Sequence, residues 1–523
     1  MPQVPRPIEF CLPPELDAVA VVDALGRRVE VVPGSWSSAD RVYFDTFDGR
    51  LRAAGVTLSR AARKQRDGAV RLTLADAGAR RHPVAVVPTR PDRIMVEELP
   101  AGSVRARLQG LIDERALLPR VRVRSREQPV SVRNHDGKTV ARVVIEQPVA
   151  VLPNADNETL GSRVQVVPVL GYDRAFEKVA NVLEATVGLK LASTSVVDEA
   201  MAAAGVLAGG EWAKVEVPLE PGMRADHASV LICRRLADVV EANLPGTVAD
   251  IDTEFLHDLR VAVRRTRSVL KEMKGALPTE AARARVDLKW IQAITGRTRD
   301  LDVQLHEWPQ MVAPVSPAMA ADLSPLYDLL KRHRAAAHRK MCRQLLSRRY
   351  RGAWARWRAM LDDSLPGSDE ESGPSAGVPV GELSGRRIVS VYTAMVKLGS
   401  AIDDRSPPDA LHDLRKRGKE LRYLLELFGG LWPADTVKPL VSTLKGLQEV
   451  LGRFQDDAIQ TTYLRELGPE LAAAPGGTDS LIALGLVIDT LAANQHEARD
   501  AFAQRFAPFA ASKTRKLVKA TFA

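Results

Sequence analysis

A cationic stripe on one face of a predicted helix constrains this chain more than any other feature. Residues 256–273 read LHDLRVAVRRTRSVLKEM, and their basic side chains recur at steps of three and four residues: His257, Arg260, Arg264, Arg267 and Lys271. This spacing places side chains in one row on a helix of 3.6 residues per turn. Apolar residues fall on the opposite face, where a helix docks on a core. Because neighbouring like charges repel, the stripe predicts an anion in front of it.

The same segment occurs again about 155 residues later. Residues 411–428 read LHDLRKRGKELRYLLELF and carry a second stripe of the same spacing: His412, Arg415, Lys419 and Arg422. Other basic residues correspond at nearly the same offset, Lys289 with Lys445, Arg343 with Arg499, and Arg349 with Arg505. Several blocks in register predict two copies of one helical module.

Charge and cysteine content narrow the class of protein. The 523 residues have a formal net charge of +9, which favours an anionic partner. The three cysteines are too few and too scattered for a disulfide framework or a zinc site. We therefore expect a cytoplasmic protein in a reducing compartment. The sequence shows neither a membrane-spanning apolar run nor a secretory leader, so no membrane partner is predicted.

Residues 1–205 predict an α+β domain. Short alternations of apolar and polar residues predict strands near 57–60, 70–74, 82–87, 130–132, 139–145 and 163–169, and helical patterns cover 104–117 and 174–187. Many short strands joined by turns favour an antiparallel sheet or barrel.

The rest of the chain predicts helices. Residues 206–225 contain the glycines and prolines of a linker, and residues 226–523 form the helical domain. Its two modules cover 226–363 and 383–523, separated by an acidic loop at 364–382. The expected architecture is a pair of four-helix bundles related by pseudo-twofold symmetry.

The N-terminal segment resembles CYTH domains, the triphosphate tunnel metalloenzymes. The similar stretches are YFDTFDGRLRAAGVTLSR at 43–60, VRLTL at 70–74, SREQPVSVRNHDGKTVARVVIE at 125–146, SRVQVVPVLGY at 162–172 and KLAST at 190–194. The resemblance implies an eight-stranded tunnel that holds a triphosphate through arginines and lysines, with glutamates binding Mg²⁺ or Mn²⁺. Tunnel-type cations would be Arg60, Arg71, Arg124, Arg126 and Arg142, with Glu146 at an acid position.

The sequence departs from this family where the metal should bind. The opening Glu-x-Glu-x-Lys strand of the family is replaced, since Pro5 and Pro7 stand at its glutamate positions and Glu9 at its lysine position. Arg163 and Gln165 occupy positions of a later acidic strand. We interpret this domain as a degenerate tunnel that still binds an anion through these arginines and has lost metal-dependent hydrolysis. The open alternative is a scaffold whose arginines only face solvent.

The C-terminal segment resembles the CHAD domain, a histidine-containing helical domain often joined to CYTH. The resemblance rests on HDLRVAVRRTRS at 257–268, TGRTRDLDVQL at 295–305, HDLRKRGKELRYLLE at 412–426 and LQEVLGRFQDD at 447–457. It implies inorganic polyphosphate binding in a basic groove between two bundles, contacted by the two stripes. The paired basic residues at 289, 343, 349, 445, 499 and 505 are weaker additions.

Three functions compete at this point. The favoured function is a non-catalytic polyphosphate-binding protein without metal or cofactor, with polyphosphate granules as a candidate destination. The alternative is a Mg²⁺- or Mn²⁺-dependent CYTH-type triphosphatase or polyphosphatase with a polyphosphate-binding domain. Nucleic-acid binding is expected only non-specifically at low salt. A metal site at the two histidines is disfavoured because the surrounding arginines repel cations. The sequence leaves oligomeric state and preferred polyphosphate length open.

Overall fold

Two compact units make up the chain, residues 1–214 and 215–523. The structure is a computed structural model that describes residues 7–61, 70–76, 85–87, 92–153, 155–206, 217–363, 373–403 and 405–523. Parts of three predictions lie outside the described residues: the start of the strand at 82–87, residues 207–216 of the linker at 206–225, and residues 364–372 of the acidic loop. Pro5 of the altered opening strand also lies outside them.

The first unit is built on an antiparallel sheet. Its strands are β1 Ile8–Cys11, β2 Glu30–Pro33, β3 Ser37–Thr46, β4 Val56–Ala61, β5 Val70–Asp76, β6 Ala85–Val87, β7 Leu117–Arg133, β8 Thr139–Val151, β9 Glu158–Thr159, β10 Arg163–Pro168 and β11 Lys190–Leu191. The sheet order is β11-β1-β10-β8-β7-β3-β4-β5-β6, with β2 paired to β7 and β9 to β8. Among the described residues, the end strands β11 and β6 do not pair with each other.

Helices cover the faces of this sheet. They are α1 Ala18–Gly26, α2 Arg50–Ala53, a 3₁₀ turn Val96–Glu98, α3 Ser103–Ile112, α4 Asp173–Asn181, a π-helical turn Val182–Thr186, and α5 Val196–Ala203. The helix predicted at 104–117 ends earlier because Asp113 adopts a positive φ of 48°. Leu117 already belongs to β7. The helix predicted at 174–187 is α4, which continues into the π turn.

Apolar residues of the sheet are buried in separate clusters. Phe10, Val143 and Val164 pack with Val21 and Phe176 of α1 and α4. A second cluster joins β4 and β5 to α3, and a third joins β7 and β8 to α5. Along β5, the polar residues Arg71 and Thr73 alternate with buried Val70, Leu72 and Leu74, as a two-sided sheet requires.

The second unit is all-helical in the part of it that the structure describes. Its helices are α6 Ala225–Ala249, α7 Thr253–Glu272, α8 Ala281–Ile294, α9 Gly296–His306, α10 Trp308–Val312, α11 Pro317–Asp322, α12 Ser324–Leu345, α13 Arg348–Asp363, α14 Val380–Gly399, α15 Pro408–Phe428, a 3₁₀ turn Gly429–Leu431, α16 Ala434–Glu466, α17 Gly468–Ala472, α18 Gly477–Ala510 and α19 Ser512–Phe522. The broad prediction, an antiparallel sheet domain followed by a helical region, is confirmed.

The two sequence repeats share a hydrophobic core. Leu301, Leu326 and Leu330 from the first repeat are buried in one cluster with Leu464 and Leu484 from the second. The helices of each repeat therefore bury part of their apolar surface against helices of the other repeat. Helix α14 begins at Val380, which lies inside the segment 364–382 that was predicted as the acidic loop.

Candidate anion-binding site

The first stripe lies on α7. A capping residue at the start of this helix and apolar residues on its buried face determine where it begins and how it packs. The carboxylate of Asp252 caps the helix by accepting hydrogen bonds from the backbone N–H groups of Glu254 at 3.0 Å and Phe255 at 3.1 Å. Leu259 and Val263 are fully buried on the face opposite the stripe. The stripe side chains are half-buried, so the row is less exposed than a free helix surface.

The second stripe lies on α15, which packs directly against α7. Pro408 occupies the first turn of α15, where proline is tolerated. Leu414 and Leu421 are fully buried. Gly418 faces α16, since a Cβ there would lie at van der Waals distance, 3.4 Å, from Nε2 of Gln448. The two stripe helices are therefore adjacent elements of one helical unit.

Arg260 is held by the turn between α8 and α9. Its guanidinium donates to the carbonyl oxygen of Gln292 at 2.8 Å and to Oγ1 of Thr295 at 2.7 Å. Burial, together with the positive charge of Arg264, lowers the pKa of Arg260 to about 10. Both acceptors are neutral, so the cationic charge of Arg260 is oriented rather than neutralised.

Arg264 and Lys419 bring the two stripes together. Nε of Arg264 is buried without a hydrogen-bond partner among the described residues. Burial and the charges of Arg415, Arg264 and Arg422 lower the pKa of Lys419 to about 8. Burial is the largest of these causes, and the charges of neighbouring cations add to it. The centre of the site thus combines positive charge from both repeats.

Carboxylates of the protein itself hold other stripe cations. Arg415 donates to both oxygens of Asp456, at 2.9 and 3.2 Å. Arg422 donates to Oε1 of Gln448 at 3.1 Å, and its guanidinium lies 3.1 Å from Glu426. These contacts leave the outer part of the second stripe partly neutralised, in contrast to its centre.

Ion pairs between the repeats fix the position of α7. Lys271 pairs with Glu420 on α15. Glu272, whose side chain is fully buried, accepts from Arg387 on α14, with Nε at 3.1 Å. The stripe pattern did not reveal these partners, because Glu420 and Arg387 become neighbours of α7 only through the tertiary fold. Arg265 likewise lies beside the predicted stripe and pairs with Glu426 at 2.7 Å.

The two stripe histidines and Arg267 flank this centre. His257 and His412 are half-buried, and Nδ1 of His412 is buried with no hydrogen-bond partner among the described residues. Burial and the charge of Arg285 lower the pKa of Arg267. In the described part of the chain, no group of three His, Cys, Asp or Glu residues has the geometry of a metal site.

The weaker additions divide into two groups. The guanidinium of Arg499 donates to the carbonyl oxygens of Asp403, at 3.2 Å, and Ser406. It therefore holds the loop between α14 and α15. Arg349 lies 4.1 Å above the ring centroid of Trp290. The remaining four are exposed on α8, α12, α16 and α18: Lys289, Arg343, Lys445 and Arg505.

Comparison with known proteins identifies the helical region. Residues 231–465 match the CHAD domain family. The chain contains a CHAD domain. This stretch includes both stripe helices and the turns that hold Arg260, so the site described above lies within the CHAD domain.

Individual proteins resemble this CHAD region more distantly. An uncharacterized protein from two strains of Mycobacterium tuberculosis is 26% identical over 231 residues, which cover 43% of this chain and 42% of the relative. The chain thus spans about two fifths of the length of these curated relatives. The crystal structure of the CHAD domain from the plant Ricinus communis is 23% identical, with a TM-score of 0.47, and the match covers 56% of this chain and 95% of that one. PptA from Streptomyces chartreusis is 18% identical, with a TM-score of 0.41, over 54% of this chain and 99% of that one.

No helix in the described residues is long and apolar enough to cross a membrane.

The predicted tunnel cations of the sheet domain occupy two faces of the sheet. This domain precedes the residues that match the CHAD family. Arg60 is opposite Val42, and Val42 is opposite Arg122, so Arg60 shares a face with Arg124 and Arg126. Arg71 and Arg142 lie on the other face. Leu72 pairs with Arg60, so the adjacent residue Arg71 lies on the opposite face from Arg60. Arg142 is four residues from Glu146 and shares its face, and Glu146 pairs with Glu127, which lies on the opposite face from Arg126. One wall of the sheet therefore cannot carry all five arginines.

A buried arginine occupies the face that contains Glu146. The Arg163 side chain is only 1% exposed, pairs with Glu199, and places Nε 3.6 Å from Glu9. Its Nη1 also lies 2.7 Å from Sγ of Cys11. Burial raises the pKa values of Glu9 and Glu146. Sequence analysis singled out Arg163 only as a departure from a family pattern, and the structure makes it the centre of an ion-pair network.

Proposed function

We propose that this chain is a non-catalytic inorganic polyphosphate-binding protein whose CHAD domain uses a basic groove between the two repeats. CHAD domains are associated with polyphosphate binding, and residues 231–465 form one. The observation that carries the proposal concerns Arg264 on α7 and Lys419 on α15, whose positive charges act on each other. Neither side chain has a carboxylate hydrogen-bond partner among the described residues. A polyanion supplies the missing negative charge.

The geometry of the stripes favours a linear phosphate polymer. Side chains one helical turn apart are spaced by about 5.4 Å, on the scale of a short oligophosphate step. Polyphosphate carries about one negative charge per phosphate and presents no bases, so a row of donors suffices to bind it. Arginine predominates in both stripes, as expected where a planar guanidinium holds phosphate oxygens in pairs. Exposed Lys289, Lys445, Arg343 and Arg505 would extend the positive field at the edges.

The sheet domain supports a role without hydrolysis. A divalent cation near Glu9 and Glu146 would face the fixed guanidinium of Arg163, which already pairs with Glu199. These residues do not fit a Mg²⁺ or Mn²⁺ site, and we derive no hydrolytic step for them. We therefore propose a degenerate CYTH-like tunnel in this domain, and we propose a cytoplasmic protein that associates with polyphosphate granules.

A titration with long-chain polyphosphate at near-physiological salt tests the binding function. The test variant is Arg264→Gln with Lys419→Gln, and the control is Lys274→Gln with Lys416→Gln, which removes the same charge from exposed positions. Charge-assisted contacts are worth about 1.5–3 kcal/mol each, so the test variant should lose at least about 100-fold in affinity. The control should bind within a few-fold of the native protein.

Two further readouts separate this function from its competitors. Free phosphate is assayed in the same samples with and without Mn²⁺, and metal-dependent phosphate release would replace the binding proposal with a hydrolase. Duplex DNA is added as a competitor at physiological salt, where non-specific phosphodiester binding weakens steeply. Long-chain polyphosphate should displace the DNA, and displacement in the opposite direction would contradict the preference for polyphosphate.

A further inference from the structure

A basic cavity opens on the surface of the sheet domain, and none of the predicted tunnel cations lines it. Its volume is about 470 Å³, and its walls come from the turn after α1, from α4 and from the π-helical turn that follows α4. Its polar lining consists of Arg28, Arg174, Glu177, Lys178, Asn181 and Thr186. Three cations and one carboxylate thus surround a space of the size that small-molecule ligands occupy.

Helix α4 contributes three of the lining side chains in one row. Arg174, Lys178 and Asn181 are separated by four and three residues, which places them on one face of the helix. The opposite face is fixed, because Phe176 and Val179 are buried in the core of the sheet domain. At 1.5 Å per residue the row is roughly 10 Å long, so a single phosphate group spans only part of it.

Arg28 and Thr186 reach the same cavity from two other segments. The backbone N–H of Arg28 donates to the carbonyl oxygen of Leu25 at 2.9 Å, and Leu25 is fully buried, so the turn that carries Arg28 is held against the core. The π-helical turn is closed by the N–H of Val187, which donates to the carbonyl oxygen of Val182 at 3.2 Å. Single π-helical turns of this kind frequently occur at functional sites.

The three cations of this cavity have no counterion within the part of the chain that the structure describes. Arg28, Arg174 and Lys178 are exposed, and their side chains donate to no carboxylate or carbonyl oxygen of the described residues. The stripe residue Arg415, by contrast, already donates to both oxygens of Asp456. The donors of the cavity are therefore available to an anionic ligand.

We propose that this cavity binds small molecules through a diphosphate group. Arg174 and Lys178 would hold phosphate oxygens along α4, and Arg28 would add a charge-assisted hydrogen bond from the turn after α1. Asn181 and Thr186 supply neutral donors at the end of the row. The volume of the cavity also leaves room for an organic group attached to the diphosphate. This site belongs to the sheet domain and is separate from the polyphosphate groove proposed in the CHAD domain.

Titration of the full chain with ADP by isothermal calorimetry at near-physiological salt tests the ligand class. Each charge-assisted hydrogen bond is worth about tenfold or more in affinity, so the three cations predict a Kd of about 1 mM or tighter. AMP should bind at least tenfold more weakly, because it contacts fewer of the cations. Equal affinity for AMP and ADP, or for adenosine and ADP, would overturn the proposal.

Inorganic pyrophosphate shows which part of the ligand the cavity recognises. If pyrophosphate binds as tightly as ADP, the diphosphate group alone accounts for binding. If ADP binds more tightly, the cavity also contacts the organic group, and its ligand is a diphosphate ester. The absence of saturable binding for both compounds below about 10 mM would refute the site.

Matched charge removal tests the assignment to α4. The test variant is Arg174→Gln with Lys178→Gln, and the control is Arg133→Gln with Lys138→Gln, which removes the same charges from exposed positions near the turn between β7 and β8. The test variant should lose about 100-fold in ADP affinity, because two of three charge-assisted contacts are removed. The control should stay within a few-fold of the native protein. Equal losses in both variants, or none in either, would contradict the assignment.

Hydrogen–deuterium exchange separates this site from the CHAD groove within the same chain. ADP should slow amide exchange several-fold in the segment 181–189, and the test variant should lose that protection. Protection found only on α7 and α15 would overturn the cavity site and assign ADP to the groove. The test variant should keep native affinity for long-chain polyphosphate, so failure of one proposal leaves the other intact.

Discussion

Replacing Lys419 by methionine should stabilise the ligand-free protein while weakening its binding to polyphosphate. The folded protein lowers the pKa of this lysine from 10.5 to about 8, and each pKa unit corresponds to about 1.4 kcal/mol. Near neutral pH, the charged ammonium therefore costs the folded state roughly 3 kcal/mol relative to an exposed lysine. Methionine retains a flexible apolar chain and removes the charge. The free energy of unfolding, measured with urea, should rise by about 2–3 kcal/mol.

The pH dependence of that difference provides a second check with a fixed sign. Between about pH 8 and pH 10.5 the unfolded chain keeps the Lys419 proton while the folded chain has released it. Since the unfolded state binds more protons, the stability contribution of Lys419 rises with pH across this interval. The advantage of Lys419→Met should therefore shrink from pH 8 towards pH 10.5.

The comparison needs the native protein and the variant at each pH, with and without long-chain polyphosphate. Other titrating groups change both proteins alike, so the difference between them isolates Lys419. A variant less stable than the native protein at pH 7 would refute the reasoning. A stabilised variant that binds polyphosphate with native affinity would show that repulsion at Lys419 has no role in binding.

Three further substitutions test other parts of the CHAD domain. Arg387→Met leaves the buried carboxylate of Glu272 without its main partner, so urea unfolding should show a loss of about 3 kcal/mol, which Glu272→Met in the same chain should largely restore. Gly246→Ala places a Cβ about 2.3 Å from the Phe255 ring, where α6 crosses α7, and should lower the melting temperature at a cost of about 2 kcal/mol. Asp456→Asn removes a carboxylate that competes with phosphate for the second stripe, and should raise polyphosphate affinity several-fold in the same titration.

The fold could be predicted from the sequence wherever a periodic pattern determines one element. The stripes at 256–273 and 411–428 correspond to α7 and α15, since apolar residues on one face dictate both helix and orientation. The predicted end of α3 at 117 was wrong because the apolar pattern continues past Asp113, whose positive φ is a local backbone feature that periodicity does not encode. The core shared by Leu301 and Leu464 also escaped prediction, since a repeat indicates similar modules without specifying which helices exchange contacts.

The candidate site shows why a stripe of charges is an incomplete description of binding. By spacing alone, Arg260, Arg415 and Lys419 are equivalent members of two rows. The fold makes them different: Arg260 donates to neutral acceptors, Arg415 pairs with a carboxylate, and Lys419 meets only other cations and a carboxylate already in use. These differences arise from α8, α9 and α16, the helices that follow the stripes in the chain, and the spacing of the stripes does not encode their contacts. Phosphate should therefore be favoured most strongly at the cation with the largest uncompensated repulsion, because the anion there relieves an existing cost as well as forming a new contact.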